Sequence, residues 1–198
     1  MINYNDSNQT PGADFQIAYP SMLSSFVWLM VLLVAVVVGT FVLSCVTPFA
    51  ALAVALAGTV GLRTALGTMA LVWFTNQVMG FFLFGFPWTP GVFLWGLMIG
   101  AAALLATVVA ERALRHAPAR NAPARLGLAL LGGFVMYEIA LLPAAWWFSS
   151  WEMFTPAIIA QLAFINAVWL IGMVVLNEVA AALCRPWLGR IPRLIRSW

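Results

Sequence analysis

Residues 70–88 read ALVWFTNQVMGFFLFGFPW, an apolar run whose interior carries an adjacent pair of side-chain amides, Asn76 and Gln77. A helix needs about 20 predominantly apolar residues to cross a bilayer. Two amides inside such a run are costly unless each finds a partner or a use. Composition decides that the run is membrane helix and not the core of a soluble domain. Of 198 residues, 64% are hydrophobic and 8% are charged, with a mean hydropathy of +1.01. Soluble domains carry about 25% charged residues. The expected fold is therefore all-α, a polytopic integral membrane bundle of about six transmembrane helices.

Working outward, the six apolar runs lie at 22–46, 49–62, 65–86, 92–110, 126–148 and 156–183. The first stops at Thr47-Pro48, because a proline disfavours helix in the residue before it. The second is short and built on Ala51, Ala53, Ala55 and Ala57. As a helix it rises only about 21 Å, against a hydrocarbon core of about 30 Å. It is either a short or tilted span or a re-entrant segment. If it fails to cross, the count becomes five and the N-terminus moves outside. Residues 1–21 form a polar, acidic segment without the basic start and small-residue cleavage site of a signal peptide, so it is expected to be retained. Residues 22–184 read as one transmembrane domain, 185–198 as a basic tail, and 111–125 as a surface loop within the domain.

The net charge of +3 comes from nine arginines and no lysine. They collect at 112–125 and 185–196, with Arg63 in the turn after the second run, while the intervening loops carry none. This is the pattern of cytoplasmic membrane flanks, not of a nucleic-acid surface. It places both termini in the cytoplasm, with a bacterial inner membrane as the expected location.

Few polar groups remain within the spans. Asn76, Gln77, Tyr137 and Glu138 fall near mid-span, and Asn166 and Asn177, eleven residues apart, share a helix face with Trp169 and Met173. Polar groups at that depth face the bundle interior or a water-filled cavity. The amides read equally as ligand contacts and as interhelical glue, which is worth about 0.6 kcal/mol on average. Glu138 is sharper, since no intramembrane arginine stands ready to pair with it. Its carboxyl is a candidate ligand contact or proton site.

Five of the ten tryptophans bracket two arginine-free loops: Trp88 and Trp95 at one, Trp146, Trp147 and Trp151 at the other. They read either as an interfacial belt or as the aromatic walls of a cleft that opens outward above the amides and the carboxyl. The candidate ligand-binding set is thus Asn76, Gln77, Trp88, Tyr137, Glu138, Trp147, Asn166 and Trp169. Small-residue pairs at Ala35/Gly39, Gly96/Gly100 and Ala106/Ala110, each four apart, permit close helix approach. There is no metal-ligand spacing and no nucleotide-binding or serine-hydrolase motif. The lone His116 lies outside the spans, so neither a cofactor nor an enzymatic activity is expected.

A chain of this length with six runs, a short early helix, a basic cytoplasmic side and an aromatic outer side resembles the substrate-binding S components of energy-coupling factor vitamin transporters. In that family an Ala-x-x-x-Ala pattern in the first helix meets the transmembrane coupling subunit; Ala35-x-x-x-Gly39 is similar. The resemblance implies capture of a vitamin-like small-molecule solute from outside, with ATP hydrolysed by separate coupling subunits. The alternative is a structural or assembly subunit of a larger membrane complex that packs membrane lipid or pigment. The orientation is testable by reporter fusions. Insertions near His116 and after Trp198 are expected to read cytoplasmic, and those near Thr89 and Trp151 external; a His116 fusion that reads external reverses the orientation.

Overall fold

The computed structural model describes residues 47–116 and 121–188, together with the helical positions 26–27, 29–32 and 34. The expected first span and the Ala35/Gly39 pair therefore lie mostly or wholly outside the described residues. From residue 47 the chain forms α1 (Phe49–Thr59), α2 (Leu62–Phe82), α3 (Pro90–His116) and α4 (Ala122–Trp147). A 3-10 turn (Trp151–Phe154) and α5 (Pro156–Leu188) follow. All regular structure among the described residues is helical, and α2 to α5 are each long and apolar enough to cross a membrane. The protein is an α-helical membrane bundle.

The starts of the long helices follow local chemistry. α3 and α5 open with Pro90 and Pro156, each preceded by a threonine, and α4 carries Pro123 in its first turn. Proline suits the first turn because its missing N–H would have no intrahelical partner there. The Asn121 side chain caps α4 by accepting from Ala124 N at 3.0 Å. At the far end of α2, Gly85 adopts a left-handed φ of +68°. That reversal lets the Phe86 N–H reach the Gly80 carbonyl at 3.0 Å. The Phe86 ring then lies on Gly80, where a Cβ would meet it at 2.7 Å.

The helices run past two of the expected boundaries. α3 continues to His116 and α4 begins at Ala122, so most of the expected surface loop 111–125 is helical. Glu111 is the reason on the α3 side: it is buried and pairs with Arg115 one turn on and with Arg112 at 3.7 Å. Arg125 returns from α4 to donate to the carbonyls of Leu114 and Arg115 at the end of α3. Those carbonyls have no partner within their own helix.

The expected second span is α1, an 11-residue helix about 16 Å long. Eight of its residues, Phe49 to Leu56, are buried on every side. Its direction follows from pairing across the turn at Val60-Gly61. Thr47 Oγ1 donates to Asn76 Oδ1 at 2.8 Å, so α1 lies antiparallel along the first part of α2. α1 touches all four long helices. α5 meets the rest of the described bundle mainly through α1, with slight contact to α4 and the 3-10 turn and none to α2 or α3. The half-length helix is thus the hub of the bundle.

Lipid is as apolar as a leucine side chain, so helices associate here by close packing and hydrogen bonds. Two seams of small residues supply it. On α3, Gly96 and Gly100 receive Gln77 and Trp73 of α2; the Trp73 ring lies where a Cβ on Gly100 would stand 2.6 Å away. The Trp73 indole also donates to the Gly96 carbonyl at 2.7 Å. Farther along α3, Ala106 and Ala110 meet Gly133 of α4, 3.4 Å and 3.7 Å from the position of a Cβ there. Replacing Gly100 by Ala should force Trp73 out of its seat and cost about 1–3 kcal/mol, as overpacking usually does. Gly127→Ala meets no atom within 4 Å and should be neutral or slightly stabilising. Thermal unfolding of the two variants in detergent checks the contrast.

Candidate functional site

The first turn of α1 gathers polar side chains from three other helices. A helix start leaves backbone N–H groups without intrahelical partners. In lipid such a start is tolerated only where protein or a water-filled cavity supplies partners. Here Ala51 N donates to Asn166 Oδ1 of α5 at 3.0 Å, and the same amide returns its Nδ2 to the Leu162 carbonyl at 2.9 Å. Asn76 of α2 accepts from Thr47 just before the helix. Tyr137 of α4 stacks on Phe49, the first helical residue, with ring centroids 6.1 Å apart and planes at 28°. Three helices therefore each contribute one of the expected residues to the same turn.

The depth of that turn follows from counting. Tyr137 is ten residues before Trp147, the end of α4, and Asn166 is ten residues after Pro156, the start of α5. Each lies about 15 Å from the end of its helix that carries Trp147 or Pro156, about half the thickness of a hydrocarbon core. α1 thus begins near mid-membrane and runs toward the side of Arg63.

The other expected residues divide between this level and the tryptophan-bearing end of the bundle. Gln77 stands one position round α2 from Asn76, its amide packed on the Gly96 backbone at the α2–α3 seam. Glu138 follows Tyr137; it is half-buried, and its Oε1 is buried with no hydrogen-bond partner among the described residues. Trp169 packs against the core that surrounds α1. On α5 the fully inward positions are Asn166, Leu170, Met173, Asn177 and Ala181, which bears out the shared face read from the spacing of the asparagines.

Trp88 and Trp147 lie apart from this level and are 62% and 72% exposed. Trp88 belongs to an aromatic group with Phe81, Phe82 and Phe93, at centroid distances of 4.6 to 5.8 Å. Trp147 helps to line a groove of about 200 Å³ between α3 and α4, with Leu94, Met98, Pro143, Ala144 and Phe148. The groove wall is apolar, and none of the amides lines it.

Sequence reading missed three participants: Thr47, Trp73 and the backbone N–H of Ala51. Thr47 immediately precedes a proline at a helix start, where a side-chain oxygen is often used. Trp73 lies one turn before Gln77 and, with it, spans the Gly96/Gly100 spacing. The N–H group of Ala51 leaves no mark in a sequence. Comparison with known proteins adds nothing to this geometry: the chain matches no protein-family model, no curated protein and no solved structure.

The hydrogen bonds rank the variants. Asn166→Leu leaves the Ala51 N–H buried without an acceptor, a loss of about 1–3 kcal/mol. Asn76→Leu should cost less, because the Thr47 hydroxyl can rotate to another acceptor. Thermal melts in detergent that place Asn76→Leu below Asn166→Leu would contradict this assignment of the helix cap.

Proposed function

We propose that this protein is a small membrane transport protein that binds a vitamin-like solute entering from the aromatic side, with separate subunits supplying energy. One observation carries the reading: a half-length helix begins near mid-membrane and gathers polar side chains from three other helices. Interrupted helices at that depth are the means by which transporters place backbone and side-chain hydrogen-bonding groups around a solute. Asn166 is committed on both sides of its amide. The polar groups open to a solute are therefore Gln77, Glu138 and the amide nitrogen of Asn76. The tryptophans around the outer loops supply flat apolar surfaces on the route inward. The resemblance to energy-coupling factor S components in size and span arrangement supports the same reading, with ATP hydrolysis on partner chains.

A second reading draws on a different observation. α5 presents Phe164, Val168, Ile171, Val175 and Val179 outward in one exposed apolar stripe. Together with the committed Asn166 amide, this suits a structural subunit whose polar groups hold the bundle and whose flank packs lipid, pigment or neighbouring helices.

Purification of the full-length protein under mild conditions, followed by mass spectrometry of all that accompanies it, separates the two. A stoichiometric polar small molecule supports the solute reading, and an apolar pigment or a stable protein partner without a solute supports the other. In the first case, Asn76→Leu combined with Gln77→Leu should lower solute retention at least tenfold. That double variant with full retention would remove the amides from the site.

A further inference from the structure

Among the described residues, Glu138 takes no part in the hydrogen bonding that holds the bundle. It sits nine residues before Trp147, about 14 Å from that end of α4, and one carboxyl oxygen is buried without a donor. The described elements packed on α4 bring no counter-charge to that depth. α1 contains no ionisable side chain. On α3, Glu111, Arg112, Arg115 and His116 all lie in the last turns. α5 carries none before Glu178, and the 3-10 turn holds Glu152 beyond the end of α4. The adjacent titratable group is Tyr137, whose ring is engaged with Phe49.

A bare carboxylate in such surroundings costs several kcal/mol or more, so the group must carry a cation of its own. A hard metal ion needs about six oxygen ligands. No cluster of three or more His, Cys, Asp or Glu side chains exists among the described residues. A proton needs no further ligands. We propose that Glu138 is a proton-binding site near the middle of the membrane, occupied at neutral pH. The assignment rests on the membrane reading of the fold and holds whichever solute the protein handles. Within the transport reading, it gives the protein a titratable group that a proton gradient can address.

Infrared spectroscopy of the full-length protein in lipid bilayers tests it directly. A protonated-carboxyl C=O band is expected at neutral pH in the wild type, shifted in D2O and absent from Glu138→Gln. Identical spectra for the two proteins in that region would overturn the proposal. Loss of the band when sodium replaces choline would overturn it in favour of a sodium site. Thermal melts give an independent reading through linkage. If the folded state holds the proton, the wild type matches Glu138→Gln only below the ordinary carboxyl range of the unfolded chain. It then falls progressively below that variant as pH rises through neutrality, because the unfolded chain releases this proton before the folded one does, and the fall ends once the folded state is deprotonated too. A difference that is constant with pH, or that favours the wild type as pH rises, means an ionised Glu138 and refutes the site. Solute retention is measured separately, so the loss of either reading leaves the other standing.

Discussion

The bundle depends on satisfying the backbone where α1 begins near mid-membrane. A helix that starts in the hydrocarbon exposes N–H groups that lipid cannot accept. Asn166 supplies an acceptor for one of them from α5. Thr47, hydrogen-bonded to Asn76, fixes the approach of the chain along α2, and Tyr137 covers the first residue from α4. Placing the start of α1 elsewhere would break these contacts and leave the amide of Ala51 without a partner. The amide of the opening stretch thus has a structural answer for Asn76, while its neighbour Gln77 faces the seam with α3.

Around that start, association is steric. α2 and α4 are drawn onto α3 by glycine and alanine at Gly96, Gly100, Ala106, Ala110 and Gly133, and the backbones approach as far as those side chains permit. α5 differs. It has slight contact with α4 and reaches the remainder through α1, so its inward stripe of Leu170, Met173 and Asn177 packs on a helix a third of its length. The bundle therefore has a close-packed half, α2 to α4, and a half held through the buried short helix.

The class of fold was legible because composition and run length carry it directly. The inward faces were legible only in part. These helices are apolar nearly all round, so hydrophobicity does not distinguish lipid from core, and the marks that remain are small and polar residues. Gly96/Gly100 and Asn166/Asn177 showed their faces in that way. The Gly132-Gly133 pair and Trp73 carried a similar mark but needed the partner helix for its meaning. The length of α1 was visible, but its depth was not, because depth is set by Thr47–Asn76 and Ala51–Asn166, pairings 29 and 115 residues apart. The extended ends of α3 and α4 escaped a hydropathy reading because Glu111, Arg115 and Arg125 resemble loop residues until they pair across the helix ends.

The separation of Ala51 from Asn166 also has a consequence for how the chain is made. The ribosome delivers α1 more than a hundred residues before the acceptor on α5. During synthesis the first turn of α1 must borrow partners from water, from the insertion machinery or from its own Thr47. α1 is too short to be anchored as an independent span, and its Ala51 N–H gains the Asn166 acceptor only when α5 arrives. A chain that ends before α5 leaves the first turn of α1 without that acceptor.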